Sequence, residues 1–196
     1  MLRSQAQKSV LYGAILGDGF LQKTGEKNAR LRLEHGYKQK DFLLWKVKML
    51  APFFQGKPKY IQRIHPQTQK TYRYWRIQSQ AMPYLGRMRK IFYPEGKKQI
   101  PFDVAKNLTP ISLAVWYMDD GYYYKRDKCS FLYLGNVSQS EAENVQKALK
   151  DNFGLLSRVK IKKKGFAIYF SPEQTKNLHN AIRQYVIPLF DYKLSS

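Results

Sequence analysis

Two short stretches of this chain end on acids placed to hold a metal. Residues 11–19 read LYGAILGDG, and residues 113–121 read LAVWYMDDG. Both open on leucine, stay apolar and close on Asp-Gly, about half a chain apart. Each is long enough and apolar enough to be a buried helix. For the second, Thr109 suits the N-cap, Pro110 the first turn, and Gly121 the position just past the end. For the first, Ser4 with Gln7 supplies the cap and Gly19 the end. Asp18, Asp119 and Asp120 then lie at helix C-termini. The macrodipole is negative there and repels a carboxylate by about 0.3–1 kcal/mol per charge. A divalent cation offsets that cost, because Mg²⁺ takes oxygen ligands from one or two carboxylates together with phosphate and water. Such a site suits phosphodiester hydrolysis. A single Asp-Gly is an ordinary turn. Two at matching places in a repeat, within a strongly basic chain, favour the metal reading.

The elements that must position these acids also repeat. After the first motif, residues 29–35 (ARLRLEH), 59–65 (KYIQRIH) and 71–77 (TYRYWRI) are strand-like. Residues 40–54 and a stretch ending at Phe92 are helix-like. After the second motif, residues 130–136 form a strand and residues 140–154 a helix. Residues 158–170 form a hairpin turning at Lys164-Gly165, and residues 172–190 a last helix. Ser138 with Glu141, and Ser171 with Gln174 before Pro172, give capping patterns. Each half therefore reads helix, strands, helix, strands, helix. The fold class is α+β, with a break between halves in residues 96–107; the halves are taken as residues 1–101 and 102–196. Gly13 and Gly17 share one helical face and allow a second helix backbone to come close. The second motif carries Trp116 and Tyr117 instead, so that contact is lopsided.

Lysine and arginine total 35 against 14 acids, a net charge of +21. The cations are spread through a chain rich in tyrosine and phenylalanine rather than collected in a tail. That distribution points to a polyanionic partner, nucleic acid before others. In ARLRLEH, Arg30, Arg32 and Glu34 share one face of a strand and Leu31 and Leu33 the other. In RVKIKKKG, Lys160 and Lys162 oppose Val159 and Ile161. Arg63, Arg73, Arg76 and Lys125 are further candidates for DNA contact, and Tyr72, Tyr74 and Tyr133 for contact with sugars. Cys129 is the single cysteine, which excludes an internal disulfide and a cysteine-rich zinc site. No apolar run reaches the length of a membrane span. The opening MLRSQAQK has the basic, serine-containing character of a transit peptide but runs straight into the first motif. His35, His65 and His179 show no metal-ligand spacing and read as surface or contact residues.

The two motifs resemble those of the LAGLIDADG homing endonucleases in the leading leucine, the apolar middle and the closing Asp-Gly. Their spacing is similar to the monomeric, two-motif branch. Residues 97–121 (KKQIPFDVAKNLTPISLAVWYMDDG) and the ending YVIPLFDYKLS are similar to the part of that branch containing the omega-intron endonuclease. The likeness runs in order along nearly the whole chain. It implies two pseudo-symmetric αββαββα halves, paired central helices and saddle-shaped antiparallel sheets seated on double-stranded DNA. It implies Asp18 and Asp120 as the catalytic metal-binding pair, flanked by Gly17 and Asp119, with Asp119 in a supporting place. By position it implies Lys98, with Lys97 as rival, and Lys193 as basic residues beside the two centres. The expected activity is a metal-dependent double-strand break at a long site, leaving short 3′ overhangs. Mg²⁺ is the expected ion, with Mn²⁺ able to replace it and Ca²⁺ a non-catalytic substitute. The expected location is a mitochondrion or chloroplast for an organelle-encoded gene and the cytoplasm otherwise. An RNA maturase acting on intron RNA, or a binding module without activity, would share the scaffold; the retained acids favour cleavage.

Overall fold

The computed structural model describes residues 4–195, so Met1–Arg3 of the transit-peptide-like opening lie outside it. The first half runs α1 (Gln5–Leu16), β1 (Phe20–Lys23), β2 (Ala29–Gly36), α2 (Lys40–Met49), β3 (Lys59–Ile64), β4 (Thr71–Gln78) and α3 (Pro83–Phe92). A short α4 (Phe102–Lys106) leads into the second half. That half runs α5 (Pro110–Asp120), β5 (Gly121–Tyr124), β6 (Cys129–Gly135), α6 (Gln139–Phe153), β7 (Arg158–Lys162), β8 (Gly165–Phe170) and α7 (Pro172–Ile182). Both halves therefore read αββαββα. Each builds a four-stranded antiparallel sheet in the same order, β1-β2-β4-β3 and β5-β6-β8-β7.

The caps form where the side chains call for them. The Ser4 hydroxyl accepts from the Gln7 N–H at 3.2 Å. Thr109 and Ser112 make a reciprocal box at the start of α5, as Ser138 and Glu141 do at α6. Ser171 caps α7, but the Gln174 side chain turns away and accepts from the Leu156 N–H.

Four sequence expectations shift. Helix α1 stops at Leu16 rather than at Gly19, with Gly17 leaving helical geometry at φ −80°, ψ −129°; a Cβ at Gly17 would overlap the Asp119 carboxylate. Strands β1 and β5 directly follow the two motifs; at four residues each they are too short to show a period of two. The second hairpin turns through Lys163 and Lys164. Gly165 opens β8 at φ +117°, where a side chain would also strike the Gly135 carbonyl. Ile161, expected on the core side of β7, is 81% exposed, one residue pair from the turn end of the hairpin.

The buried residues of both halves join in one core centred on α1 and α5, which pack against each other. Gly13 permits that approach: a side chain there would meet the Ser112 carbonyl and Val115 of α5. Trp116 and Tyr117 are fully buried on other faces of α5, which is how a bulky helix still packs closely against α1. No helix among the described residues is long and apolar enough to cross a membrane.

Candidate active site and nucleic-acid interface

The paired helices bring the three acids of the motifs together. Gly17 and Gly121 are the caps of α1 and α5, and neither has a left-handed backbone. Their glycine character answers crowding, since a side chain at Gly121 would strike Tyr117. Asp18, one residue past the α1 cap, keeps half of its side chain exposed, and its backbone N–H donates to Asp119 Oδ2 at 3.2 Å. Asp120 is mostly buried. Burial, then the charges of Asp18 and Asp119, push its carboxyl up to about 7, against the pull of Lys98 and Lys193. Asp18 and Asp119 bring carboxylate oxygens within 4.8 Å of each other, Asp120 feels the charge of both, and the Asp18 side is half exposed. That donor set fits a hard divalent cation such as Mg²⁺.

Asp119 has a different environment. It is fully buried, and both its oxygens accept from Lys46 Nζ at 2.8 and 2.7 Å. Lys46 itself is fully buried in α2, 3.2 Å from His35 Nε2 and above the Phe42 ring. Burial outweighs the pull of Lys46 and raises the Asp119 carboxyl to about 6. Burial and Lys46 together hold the His35 ring down at about 2, so it is neutral. The His35 Nδ1 lies 3.8 Å from Asp18. Asp18, His35 and Asp119 offer ligand atoms within 4.8 Å of one another, but both Asp119 oxygens are engaged by Lys46. Asp119 is therefore a fixed anion supporting the site, and the placement of His35 at the surface is corrected: it is 3% exposed. His179 is also buried.

The two sequence-selected lysines occupy matching positions. Lys98 Nζ donates to the carbonyls of Leu16 and Gly17 at 3.0 and 2.5 Å. Lys193 Nζ donates to those of Met118 and Asp119 at 2.7 and 3.3 Å. Each cation thus covers carbonyls left unpaired at the end of a motif helix and opposes its dipole. A bound metal is not alone in making these acidic helix ends tolerable. The Gly17 carbonyl, grouped with the metal set from sequence, already accepts from Lys98. Burial lowers the titration of both lysines, partly offset by the surrounding aspartates. Among the described residues Lys97 makes no matching hydrogen bond, and its charge instead helps hold the Glu141 carboxyl below its ordinary value.

The sheet faces turned away from the helices adjoin the acids. A cleft beside Asp18 is lined by Phe20, Arg32, Glu34 and Tyr74 of the first sheet. One beside Asp120 is lined by Lys98, Tyr133 and Lys162 of the second. Strand β2 alternates as expected, with Arg30, Arg32 and Glu34 outward and Leu31, Leu33 and His35 buried. Glu34 accepts from Arg63 at 2.7 and 2.8 Å and from Arg76 at 2.6 Å, tying three strands together. Arg73 is exposed but falls on the opposite face from Arg76, three residues along β4. Lys125 is exposed in the loop after β5, and Lys160 is exposed on β7. Lys162 lies 4.0 Å above the Phe131 ring. Tyr72 is exposed on the first sheet, and Tyr133 bonds Tyr124 through the two hydroxyls.

Sequence reasoning missed Lys46 and His35, although both left a signal. Lys46 falls on the apolar face of α2 with Phe42 and Leu43. His35 continues the Leu31–Leu33 alternation onto the buried face of β2. A charged or polar group at a core position requires a buried partner.

A duplicated α+β unit with acids at the ends of two central helices, beneath two outward sheet faces, defines a class of pseudo-symmetric α+β proteins. The chain belongs to the LAGLIDADG DNA endonuclease family, whose sequence model matches residues 8–178. The structure of the homing endonuclease I-WcaI bound to its DNA recognition sequence is similar over 100% of this chain and 88% of that one, with TM-score 0.91 and 26% identity. The chain is 28% identical to probable intron-encoded endonuclease 1 of Wickerhamomyces canadensis, over 97% of this chain and 84% of that protein. It is also 28% identical to protein RecA of Mycolicibacterium fallax, over 98% of this chain and 47% of that protein. The chain therefore spans about half the length of the RecA relatives it matches.

Proposed function

We propose that this chain is a site-specific, metal-dependent endonuclease that breaks both strands of duplex DNA and leaves short 3′ overhangs. Its two halves, residues 1–101 and 102–196, each serve one half of the target. The reading rests on the family, and on one observation above others: Asp18 and Asp120, at the ends of the helix pair, lie near enough to repel each other, while Asp119 is already paired with Lys46. Two acids remain for a cation, with open space beside Asp18.

In this reading Asp18 and Asp120 hold Mg²⁺ or Mn²⁺. The ion supplies Lewis-acid polarisation of the scissile phosphate and lowers the pKa of a bound water. Lys98 and Lys193, fixed by helix-end carbonyls, keep a positive charge beside each centre where negative charge grows on the phosphate. His35, held neutral, stands 3.8 Å from Asp18 without adding charge. The outward cations bind the phosphates of the duplex.

Asp18→Asn and Asp120→Asn are each expected to abolish double-strand cleavage of a selected target while leaving its binding within a few-fold of the unaltered protein. Gel analysis of cut ends and an electrophoretic shift read the two properties separately. Full cleavage by both variants overturns the assignment.

A further inference from the structure

The outward faces of the two sheets differ in chemistry. In the first, polar groups with paired donors and acceptors are linked diagonally across three strands. Arg30 Nη1 donates to Gln78 Oε1 at 3.4 Å, and Gln78 Nε2 donates to Gln22 Oε1 at 3.3 Å. Arg30 Nε is buried without a partner among the described residues. Arg32 lies 4.8 Å from the Phe20 ring, which orients its guanidinium. These are side chains that read guanine and adenine edges in pairs of hydrogen bonds, already ordered before a ligand arrives.

The second sheet has no such groups on three of its four strands: β5, β6 and β8 contain no lysine, arginine, asparagine or glutamine. Its register sets Tyr122, Phe131 and Tyr169 in one row, with Tyr124 and Tyr133 beside them. Neighbouring rings lie 4.5–6.0 Å apart. Tyr122 is 49% exposed, so this plate of rings is open to a ligand. Cations enter at its edge from β7, where Lys160 is exposed and Lys162 sits over Phe131. A tyrosine hydroxyl is one rotating donor and acceptor, and two of these are spent on each other; it offers no bidentate pair to tell base edges apart, whereas the rings make apolar contact with sugars and with the thymine methyl.

We infer that the two halves read DNA by different means: the first sheet by hydrogen bonds that fix individual bases, the second by an aromatic plate that tolerates most bases and favours thymine. The inference rests on the endonuclease reading and gives it a direction. Target specificity is concentrated on the half-site under residues 20–78, and the half-site under β5–β8 is loose and thymine-rich.

The test begins with randomised duplexes and Mg²⁺, sequencing the cut ends. The half-site whose base preferences change under Arg32→Ala is assigned to the first sheet, and the one that changes under Tyr122→Ala to the second. Thymines of the selected duplex are then replaced by deoxyuridine, which lacks the methyl, in one half-site at a time, and affinity is measured by fluorescence anisotropy without divalent cation. The expected result is strong single-base preference in the first half-site, about tenfold or more per fixed base. The second half-site is expected to be tolerant, and each methyl removed from it to weaken binding by about fourfold, with no change on removal from the first. Equal information in both halves, fixed guanines in the second, or no effect of deoxyuridine there overturns the inference. If no duplex is cut, the endonuclease reading fails by itself. Duplexes selected by binding then carry the same comparison of half-sites, and binding to no duplex overturns both readings.

Discussion

Lys46 has no solvent exposure, yet its ammonium is fully engaged by two Asp119 oxygens and His35. A lone buried charge costs several kcal/mol, and its Coulombic partner recovers that cost when the geometry is close. The pair joins the two halves, since Lys46 comes from α2 and Asp119 from α5. The repeat gives it no twin: Gly17 stands where a second Asp119 would, and β6 places Leu134 where β2 places His35. Lys46→Met would leave the Asp119 carboxylate buried and unpaired. It is expected to lower unfolding stability by about 3–5 kcal/mol, whereas Lys46→Met with Asp119→Leu recovers most of that loss. Urea unfolding of the three proteins checks this; a single variant as stable as the parent contradicts the buried pair. At this scale the sequence was half legible. Asp18, Asp120, Lys98 and Lys193 stand out by type and spacing. Lys46 and His35 do not, because their significance lies in a contact between elements far apart in the chain.

At the scale of elements, the long helices and the strands with clean alternation were readable, and β1 and β5 were not. Four residues following a tightly packed turn take their conformation from the neighbouring strand, with Leu21 beside Leu31 and Gly121 beside Leu132, and not from their own pattern. The helix pair depends on Gly13. Gly13→Ala puts a methyl into the backbone carbonyl of Ser112 and is expected to destabilise by about 1–3 kcal/mol, although alanine favours a helix. A variant more stable than the parent in thermal unfolding would refute that close approach. The segment after α7 is fixed by a different device. The Ser195 N–H donates to His179 Nδ1 at 2.8 Å, so the neutral ring carries its proton on Nε2, beside Tyr117 and Ser130. Tyr117 in turn donates to the Lys193 carbonyl at 3.1 Å, holding the lysine that caps α5. Burial, then Arg183, lower His179 to about 4, below its unfolded value near 6.5. The folded state therefore favours the neutral ring. The stabilisation is complete above pH 6.5 and is lost as pH falls from 6.5 toward 4, by about 3 kcal/mol in all. Urea midpoints across that range should fall more steeply for the parent than for His179→Gln; parallel curves would show that the ring is not held neutral.

The whole molecule carries +21, and the ion pairs among its described residues neutralise few of those cations. Charge of this size does not select a fold, and it opposes compaction through self-repulsion. The single core shared by both halves holds the chain together against that repulsion. A polyanion laid across the outward faces would relieve it. Cations such as Arg63 and Arg76 are fixed by Glu34, while Lys125 and Lys160 are free to meet phosphates. Binding should then release condensed counterions in proportion to the phosphates contacted, with a slope of log affinity against log salt near −0.9 for each. A footprint that engages about six to ten phosphates loses about 10³–10⁵ in affinity between 50 and 200 mM salt. Lys125→Ala and Lys160→Ala should each reduce that slope by about one while leaving base preference unchanged. Arg32→Ala should alter base preference with less change in slope. Anisotropy titrations at four salt concentrations separate these outcomes, and a slope insensitive to both lysine variants would move the phosphate contacts off this face.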